Sequence, residues 1–153
     1  MTAIDLLPDT RWHRPLLVLA ASMGLLVVVC LVGIAVDGRT LLGVNVWEKP
    51  LKFALSTILY AVTWSWLIGQ LQRFRRIAWW AGTLSAILLV IELVIITGAA
   101  ALGITSHFNV STPVNTALWS VMAFSITTLW VATFVVSVVL FRNPLGDRAR
   151  TLA

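Results

Sequence analysis

The sequence has few charged residues. Lys, Arg, Asp and Glu make up 11% of its 153 residues, whereas a soluble domain has about 25%. Because charged side chains normally cover a water-facing surface, this scarcity excludes an ordinary soluble protein and makes the lipid bilayer the expected surroundings. The net charge of +5 comes from bases in short clusters between apolar runs. Such clusters set the orientation of a membrane protein, and we expect no nucleic-acid partner.

Residues that bind metals or form disulfides are also scarce. Cys30 is the single cysteine and lies in an apolar run, so we expect an inert core thiol. The two histidines, His13 and His107, are predicted on opposite membrane faces, which argues against a haem or zinc site within one chain. We predict no metal site, and no motif specifies a cofactor. The chain lacks a nucleophile elbow, a phosphate loop and an HExxH pattern, so an enzyme is not the favoured interpretation.

The chain does contain four long apolar runs. A hydrocarbon core about 30 Å thick requires about 20 apolar residues in a helix. The runs predict spans at about 15–36, 50–71, 77–103 and 114–141. We therefore predict an all-α integral membrane protein, a four-transmembrane-helix bundle in which residues 1–153 form a single domain. The first run is interpreted as a retained span, because it is longer than the apolar core of about 7–15 residues in a signal peptide.

The distribution of bases predicts the orientation. Three bases, Arg39, Lys49 and Lys52, lie on one side of the predicted topology. The other eight lie on the opposite side: Arg11, Arg14, Arg73, Arg75, Arg76, Arg142, Arg148 and Arg150. The positive-inside rule then places both termini in the cytoplasm of a bacterial cell, with the protein in the plasma (inner) membrane.

Glu92 stands alone in the middle of the third run. A carboxylate in the hydrocarbon core costs several kcal/mol unless it is protonated or paired, so a functional role is the default hypothesis. The alternative is a structural carboxyl group that bonds a neighbouring helix.

The second span supplies candidate partners for Glu92. Its polar residues recur at helical spacing within an arc of about 80°, which should face the bundle interior. They are Lys49, Lys52, Ser56, Tyr60, Thr63 and Gln70. If the hairpin is centred near Phe74, Ser56 and Glu92 lie at the same depth, each 18 residues from the centre. We predict that Lys52 reaches Glu92, with Ser56 and Tyr60 as hydrogen-bond partners; the alternative is that both lysines extend to the interface.

The third loop, residues 103–116, is dense in hydroxyl and amide side chains. His107 is its one titratable residue. On the predicted topology this loop lies outside, beside the first loop with Trp47 and Lys49. We predict that Trp47 contacts His107 and that these residues, with Asn109, form the mouth of a polar pocket leading to Glu92. The alternative for His107 is a capped or interfacial loop histidine.

Three segments resemble a known group of proteins. They are Trp47–Ser56 (WEKPLKFALS), the lone Glu92, and Ser106–Pro113 (SHFNVSTP). They resemble segments of small, uncharacterised bacterial multi-span membrane proteins, actinobacterial ones in particular. The resemblance covers spans two to four. It implies a multi-span membrane protein and carries over no established activity.

Three classes of function are compatible with the sequence. The first is binding or translocation of a proton, ion or small amphiphilic ligand through the Glu92-centred cluster. The second is a structural or assembly subunit of a membrane complex, and the third is an intramembrane enzyme using Glu92 and His107 as acid and base. A homo-oligomer would multiply these single residues around a symmetry axis. We rank binding or translocation first.

Overall fold

The computed structural model describes residues 12–71 and 73–143. Within these ranges it has four helices: α1 (Arg14–Val36), α2 (Glu48–Gly69), α3 (Arg75–Leu102) and α4 (Pro113–Phe141). All four are long and apolar enough to span a membrane. Each bound lies within two residues of its predicted position, so the all-α four-helix membrane bundle is confirmed. Three arginines counted in the orientation prediction lie outside the described residues: Arg11, Arg148 and Arg150.

Helix α3 is the central helix of the bundle. It packs against each of the other three helices, most extensively against α4, while α1 packs mainly against α2. Half of its apolar segment is buried, whereas the other helices bury between 22% and 28% of theirs. A polar group on the packed face of α3 is therefore removed from both water and lipid.

The first loop, residues 37–47, folds into a small hairpin that the sequence did not predict. Strands β1 (Thr40–Leu41) and β2 (Val44–Asn45) pair antiparallel. Leu42 and Gly43 between them have φ angles of 54° and 83°. Two successive positive φ angles are typical of a type I′ turn, which matches the twist of the paired strands.

Asp37 holds this loop in place. Its carboxylate accepts hydrogen bonds from Arg39 Nη2 at 2.7 Å and from Trp47 Nε1 at 2.9 Å. These two donors hold the pKa of Asp37 well below its usual range. Arg39 also donates to the carbonyl oxygen of Ala101 near the end of α3, at 3.0 Å. The first loop therefore lies against the end of α3, which we call the upper end of the bundle.

The third loop leaves α3 at the same end through a tight turn. The N–H of Gly103 donates to Ala100 O, and the N–H of Ile104 donates to Ala99 O, both at 3.0 Å. This pair of bonds is a Schellman motif, which satisfies the last carbonyl groups of the helix. Gly103 has a φ of 68°, a conformation that glycine adopts without steric cost.

His13 joins three helices at the opposite, lower end. Its side chain is 1% exposed, and its Nδ1 caps α1 by accepting a hydrogen bond from Leu16 N at 3.3 Å. Since Nδ1 is an acceptor, Nε2 carries the proton and donates to Trp79 O of α3 at 2.9 Å. Ser65 of α2 donates to the carbonyl oxygen of His13 at 3.0 Å. His13 and His107 therefore lie at opposite ends, as predicted.

Candidate functional site

Glu92 lies on the packed face of α3. Its side chain is buried, with 4% of the residue exposed, so the prediction that it does not face lipid is confirmed. Among the described residues its Oε1 atom has no hydrogen-bond partner. A buried polar atom without a partner costs about 1–3 kcal/mol. Such an atom in a native protein requires an explanation, and a role in catalysis or ligand binding is a common one.

Among the described residues, the charged group with an electrostatic effect on Glu92 is Lys49, from the first turn of α2. Its Nζ donates to Ser106 Oγ at 2.7 Å and lies 3.1 Å from His107 Nδ1. All three side chains are in mutual contact, because Ser106 Oγ also lies 3.0 Å from His107 Nδ1. We call Lys49, Ser106 and His107 the Lys49 cluster. It links α2 to the third loop at the upper end, with Glu92 below it on α3.

The Lys49 cluster determines the protonation of His107. A lysine ammonium has donors and no acceptor, so a His107 Nδ1 in contact with it carries no proton, and Nε2 holds the hydrogen of the neutral ring. Burial and the positive charge of Lys49 both lower the pKa of His107. The imidazole is therefore neutral at physiological pH and offers Nδ1 as a hydrogen-bond acceptor.

Aromatic rings position His107. Its ring centroid lies 6.1 Å from that of Phe53 on α2 and 5.4 Å from that of Trp119 on α4. Phe108 also packs against Trp119, with ring centroids 4.4 Å apart, and has a φ of 56°. A bulky residue in the left-handed region is strained, and such strain often marks a functional segment. The loop thus holds His107 between two helices instead of leaving it in solvent.

Asn109 shapes the third loop. Its amide nitrogen donates to Thr105 O at 3.0 Å, and its Oδ1 accepts from the backbone N–H of Ser111 at 3.1 Å. These bonds close turns on both sides of the residue. Asn109 therefore supports the segment that carries Ser106 and His107.

The predicted pairing of Glu92 with Lys52 is wrong. Lys52 has 73% of its side chain exposed and bonds Glu48 at 3.4 Å. A difference in depth within the bundle does not explain why Lys52 and Glu92 fail to pair. Both residues lie 20 residues from the midpoint between Gly69 and Arg75, and therefore at similar depth. The cause is rotation: Lys49 and Lys52 are about 60° apart around the helix. Packing of α2 turns Lys49 inward and Lys52 outward.

Ser56 and Tyr60 also have other partners. Ser56 is exposed and donates to Phe53 O of its own helix at 3.0 Å. The hydroxyl of Tyr60 lies 2.7 Å from Thr133 Oγ1 of α4, and its ring packs against Trp64. The predicted hydrogen bonds from these two side chains to Glu92 are not among those of the described residues.

Trp47 packs against α1. A Cβ atom on Gly33 would lie 2.6 Å from the indole ring, so the ring occupies the space that this glycine leaves. The first and third loops do lie side by side, as predicted, because Leu41 and Val44 of the first loop line the same cavity as Ile104 of the third. The predicted contact between Trp47 and His107, however, is not among the ring contacts and hydrogen bonds of the described residues.

Two cavities adjoin the cluster. One, of about 120 Å³, lies between the β1–β2 hairpin, α3 and the third loop, and Lys49 and Ser106 line it. The other, of about 300 Å³, lies between α3 and α4 and extends to Asn109. Ser106 lines both cavities. Ser106 was not among the site residues predicted from the sequence. Its position directly before His107 was the one feature that could have indicated a role.

The described residues show no group of three or more His, Cys, Asp or Glu side chains arranged to hold a metal ion. No known family model, curated protein or solved structure matches the chain. The function therefore has to be inferred from the geometry of the site.

Proposed function

We propose that the protein binds a proton at Glu92 and exchanges it with the upper end of the bundle through the Lys49 cluster. The observation that carries this proposal is the buried Oε1 atom of Glu92, which has no hydrogen-bond partner among the described residues and is subject to the charge of the Lys49 ammonium group. Burial opposes an ionised carboxylate, while a nearby ammonium favours one. A carboxyl group under these opposed influences gains or loses a proton with small changes around it, which suits a proton-binding site.

Access from the upper end is supported by the polar groups that lie between Glu92 and the third loop. His107 lies in the third loop and contacts Lys49, and Lys49 acts on Glu92. Below Glu92, the next buried side chains of α3 are Leu88 and Leu89, and the hydroxyl group of the buried Ser85 donates to Ala81 O of its own helix at 2.9 Å. This asymmetry favours proton exchange with one side of the membrane over passage across it.

The proposed location is a bacterial plasma membrane with both termini in the cytoplasm. Among the described residues, the lower end carries five bases and no acidic residue; the bases are Arg14, Arg73, Arg75, Arg76 and Arg142. At the upper end, Arg39 pairs with Asp37 and Lys52 pairs with Glu48. The excess of positive charge therefore lies at the lower end, which the positive-inside rule assigns to the cytoplasm.

Infrared spectroscopy of the purified protein in lipid tests the proton site. The carbonyl band of a protonated buried carboxylic acid should appear as the pH is lowered, and it should be absent in Glu92→Gln. Lys49→Met should move the protonation of Glu92 to higher pH, because the carboxylate loses the ammonium that supports it. Lys52→Met is the matched control and should leave the titration unchanged.

Two results would contradict the proposal. One is a carbonyl band that persists in Glu92→Gln, and the other is a titration that Lys49→Met does not move. A folded Glu92→Gln protein with unchanged physiology would favour a structural or assembly subunit, in which the amide can replace the carboxyl group.

A second candidate, an intramembrane enzyme, is favoured by the contact between Ser106 Oγ and His107 Nδ1 at 3.0 Å. A neutral histidine within hydrogen-bond distance of a hydroxyl group can act as its general base. A fluorophosphonate reagent should then label wild-type protein and fail to label Ser106→Ala. Absence of labelling in folded wild-type protein would count against this candidate.

A further inference from the structure

The cavity beside Lys49 is apolar along most of its surface. The β1–β2 hairpin contributes Leu41 and Val44, α3 contributes Ile96 and Ala100, and the third loop contributes Ile104. Its volume of about 120 Å³ is enough for a few water molecules or a small organic group. An apolar wall with one polar end suits an amphiphilic molecule better than water alone.

The polar end of the cavity carries positive charge. Among the described residues that line it, Lys49 is the one charged residue, and Ser106 adds a hydroxyl group. The amide of Asn45 is already engaged, since it donates to Asp37 O at 2.6 Å and accepts from Trp47 N at 2.9 Å. A ligand therefore meets an ammonium and a hydroxyl group, which together complement an anionic oxygen.

The charges around the cavity should couple binding of an anionic ligand beside Lys49 to protonation of Glu92. The titratable groups that face Lys49 are Glu92 from α3 and His107 from the third loop. The apolar run of α1 contributes only the thiol of Cys30, and α4 contributes no charged residue. If Glu92 is ionised, a second anion beside Lys49 leaves one uncompensated negative charge in a low-dielectric site, which is costly. Protonation of Glu92 removes that cost and frees the ammonium for the ligand.

We propose that this cavity binds the carboxylate group of an aliphatic acid, with its chain against the apolar wall, and that a proton binds Glu92 at the same time. The inference rests on the proposed proton site at Glu92 and adds its ligand class. The acid comes either from water, as a short-chain carboxylate, or from the bilayer, as a fatty acid. The size of the cavity favours the short chain.

Calorimetric titration of the protein in nanodiscs of zwitterionic lipid tests the proposal with hexanoate as the probe. Repeating the titration in buffers of different ionisation enthalpy counts the protons taken up. Hexanoate should bind with uptake of about one proton, whereas hexanol and hexylamine should not bind. Palmitate placed in the nanodisc distinguishes the bilayer source, because it would compete with hexanoate if both use the same site.

Matched variants locate the site. Lys49→Met should weaken hexanoate binding by about tenfold or more, because the carboxylate loses its charged partner. Lys52→Met, three residues along the same helix, should change it less than about twofold. Ala100→Leu fills the cavity and should abolish binding, whereas Ala101→Leu, at an exposed neighbouring position, should not. Glu92→Gln should bind hexanoate without proton uptake.

The experiments distinguish failure of the ligand proposal from failure of the proposed proton site at Glu92. If Glu92 titrates in the infrared spectrum but neither hexanoate nor palmitate binds, the ligand inference is wrong and the proton site stands. If hexanoate binds equally well to Lys49→Met in a folded protein, the carboxylate does not use this cavity. If hexanoate binds at Lys49 without proton uptake in wild-type protein, the coupling to Glu92 is wrong.

Discussion

The Nζ atom of Lys49 lies 2.7 Å from the Oγ atom of Ser106, 57 residues further along the chain. This contact joins the first turn of α2 to the loop between α3 and α4. It also holds the ammonium group above Glu92, so a single lysine connects the third loop with the carboxyl group buried in the bundle. Its removal should therefore affect both the stability of the fold and the protonation of Glu92.

A double-mutant cycle should detect the coupling of Lys49 and Glu92. Lys49→Met leaves a buried carboxyl group without its counter-ion and should lower the free energy of unfolding by about 1–3 kcal/mol. The double variant with Glu92→Gln should recover part of this loss, because both charges are then absent. Thermal unfolding in detergent measures each corner of the cycle, and simple additivity would show that the two residues are not coupled.

The exposed pair of Glu48 and Lys52 provides the control cycle. An ion pair with a 73% exposed lysine contributes about 0.2–1 kcal/mol at most. Glu48→Gln and Lys52→Met should therefore change the unfolding temperature little. A large coupling in this cycle would contradict the assignment of Lys49 as the inward-facing lysine.

Acid should destabilise the lower end of the bundle through His13. Burial lowers the pKa of His13 from its usual value of 6.5, so the unfolded chain binds a proton at higher pH than the folded chain does. Stability is then fully present above about pH 6.5 and falls as the pH decreases toward the lower folded pKa. Measurement of the unfolding temperature between about pH 8 and 5 checks this direction.

His13→Asn should reduce that acid sensitivity. Asparagine can still accept the hydrogen bond from Leu16 N at the start of α1, but it does not titrate. The pKa of His107 is also lowered, so His107→Asn serves as the comparison and should remove a separate part of the pH dependence. An unchanged pH profile in the double variant would mean that neither histidine is responsible.

Gly33 should tolerate no side chain. A Cβ atom there would lie 2.6 Å from two carbon atoms of the rigid Trp47 indole ring. Gly33→Ala should therefore displace Trp47 from α1 and lower the free energy of unfolding by about 1–3 kcal/mol. Gly24→Ala is the control on the same helix, since nothing lies within 4 Å of its added atom. Equal unfolding temperatures of the two variants would contradict the packing of Trp47.

Cysteine labelling in intact cells tests the orientation. In a Cys30→Ala background, single cysteines at the exposed positions Val44 and Val110 should react with an impermeant reagent from outside. A cysteine at Arg73 should react only after the membrane is permeabilised. Reaction of the Arg73 variant in intact cells would invert the orientation and place the Lys49 cluster on the cytoplasmic side.

The four helices and the burial of Glu92 were predictable from the sequence. Runs of apolar residues long enough to span a bilayer leave the backbone few alternatives to a helix, because its polar groups find no water there. The same lipid environment makes an exposed carboxylate costly. Both predictions depend only on where apolar and charged residues lie along the chain, and these positions are read directly from the sequence.

Which lysine acts on Glu92 depended on how the helices pack. Lys49 and Lys52 differ by about 60° around α2, and the packing of α2 against α1 and α3 turns one inward and the other outward. The same holds for Ser106, whose place beside Lys49 depends on the turn at Gly103, and for Trp47, whose place depends on the space left at Gly33. Rotation of a helix and the path of a loop are set by contacts between segments distant in sequence, so local patterns predicted the polar face but not the residue that points to the carboxyl group.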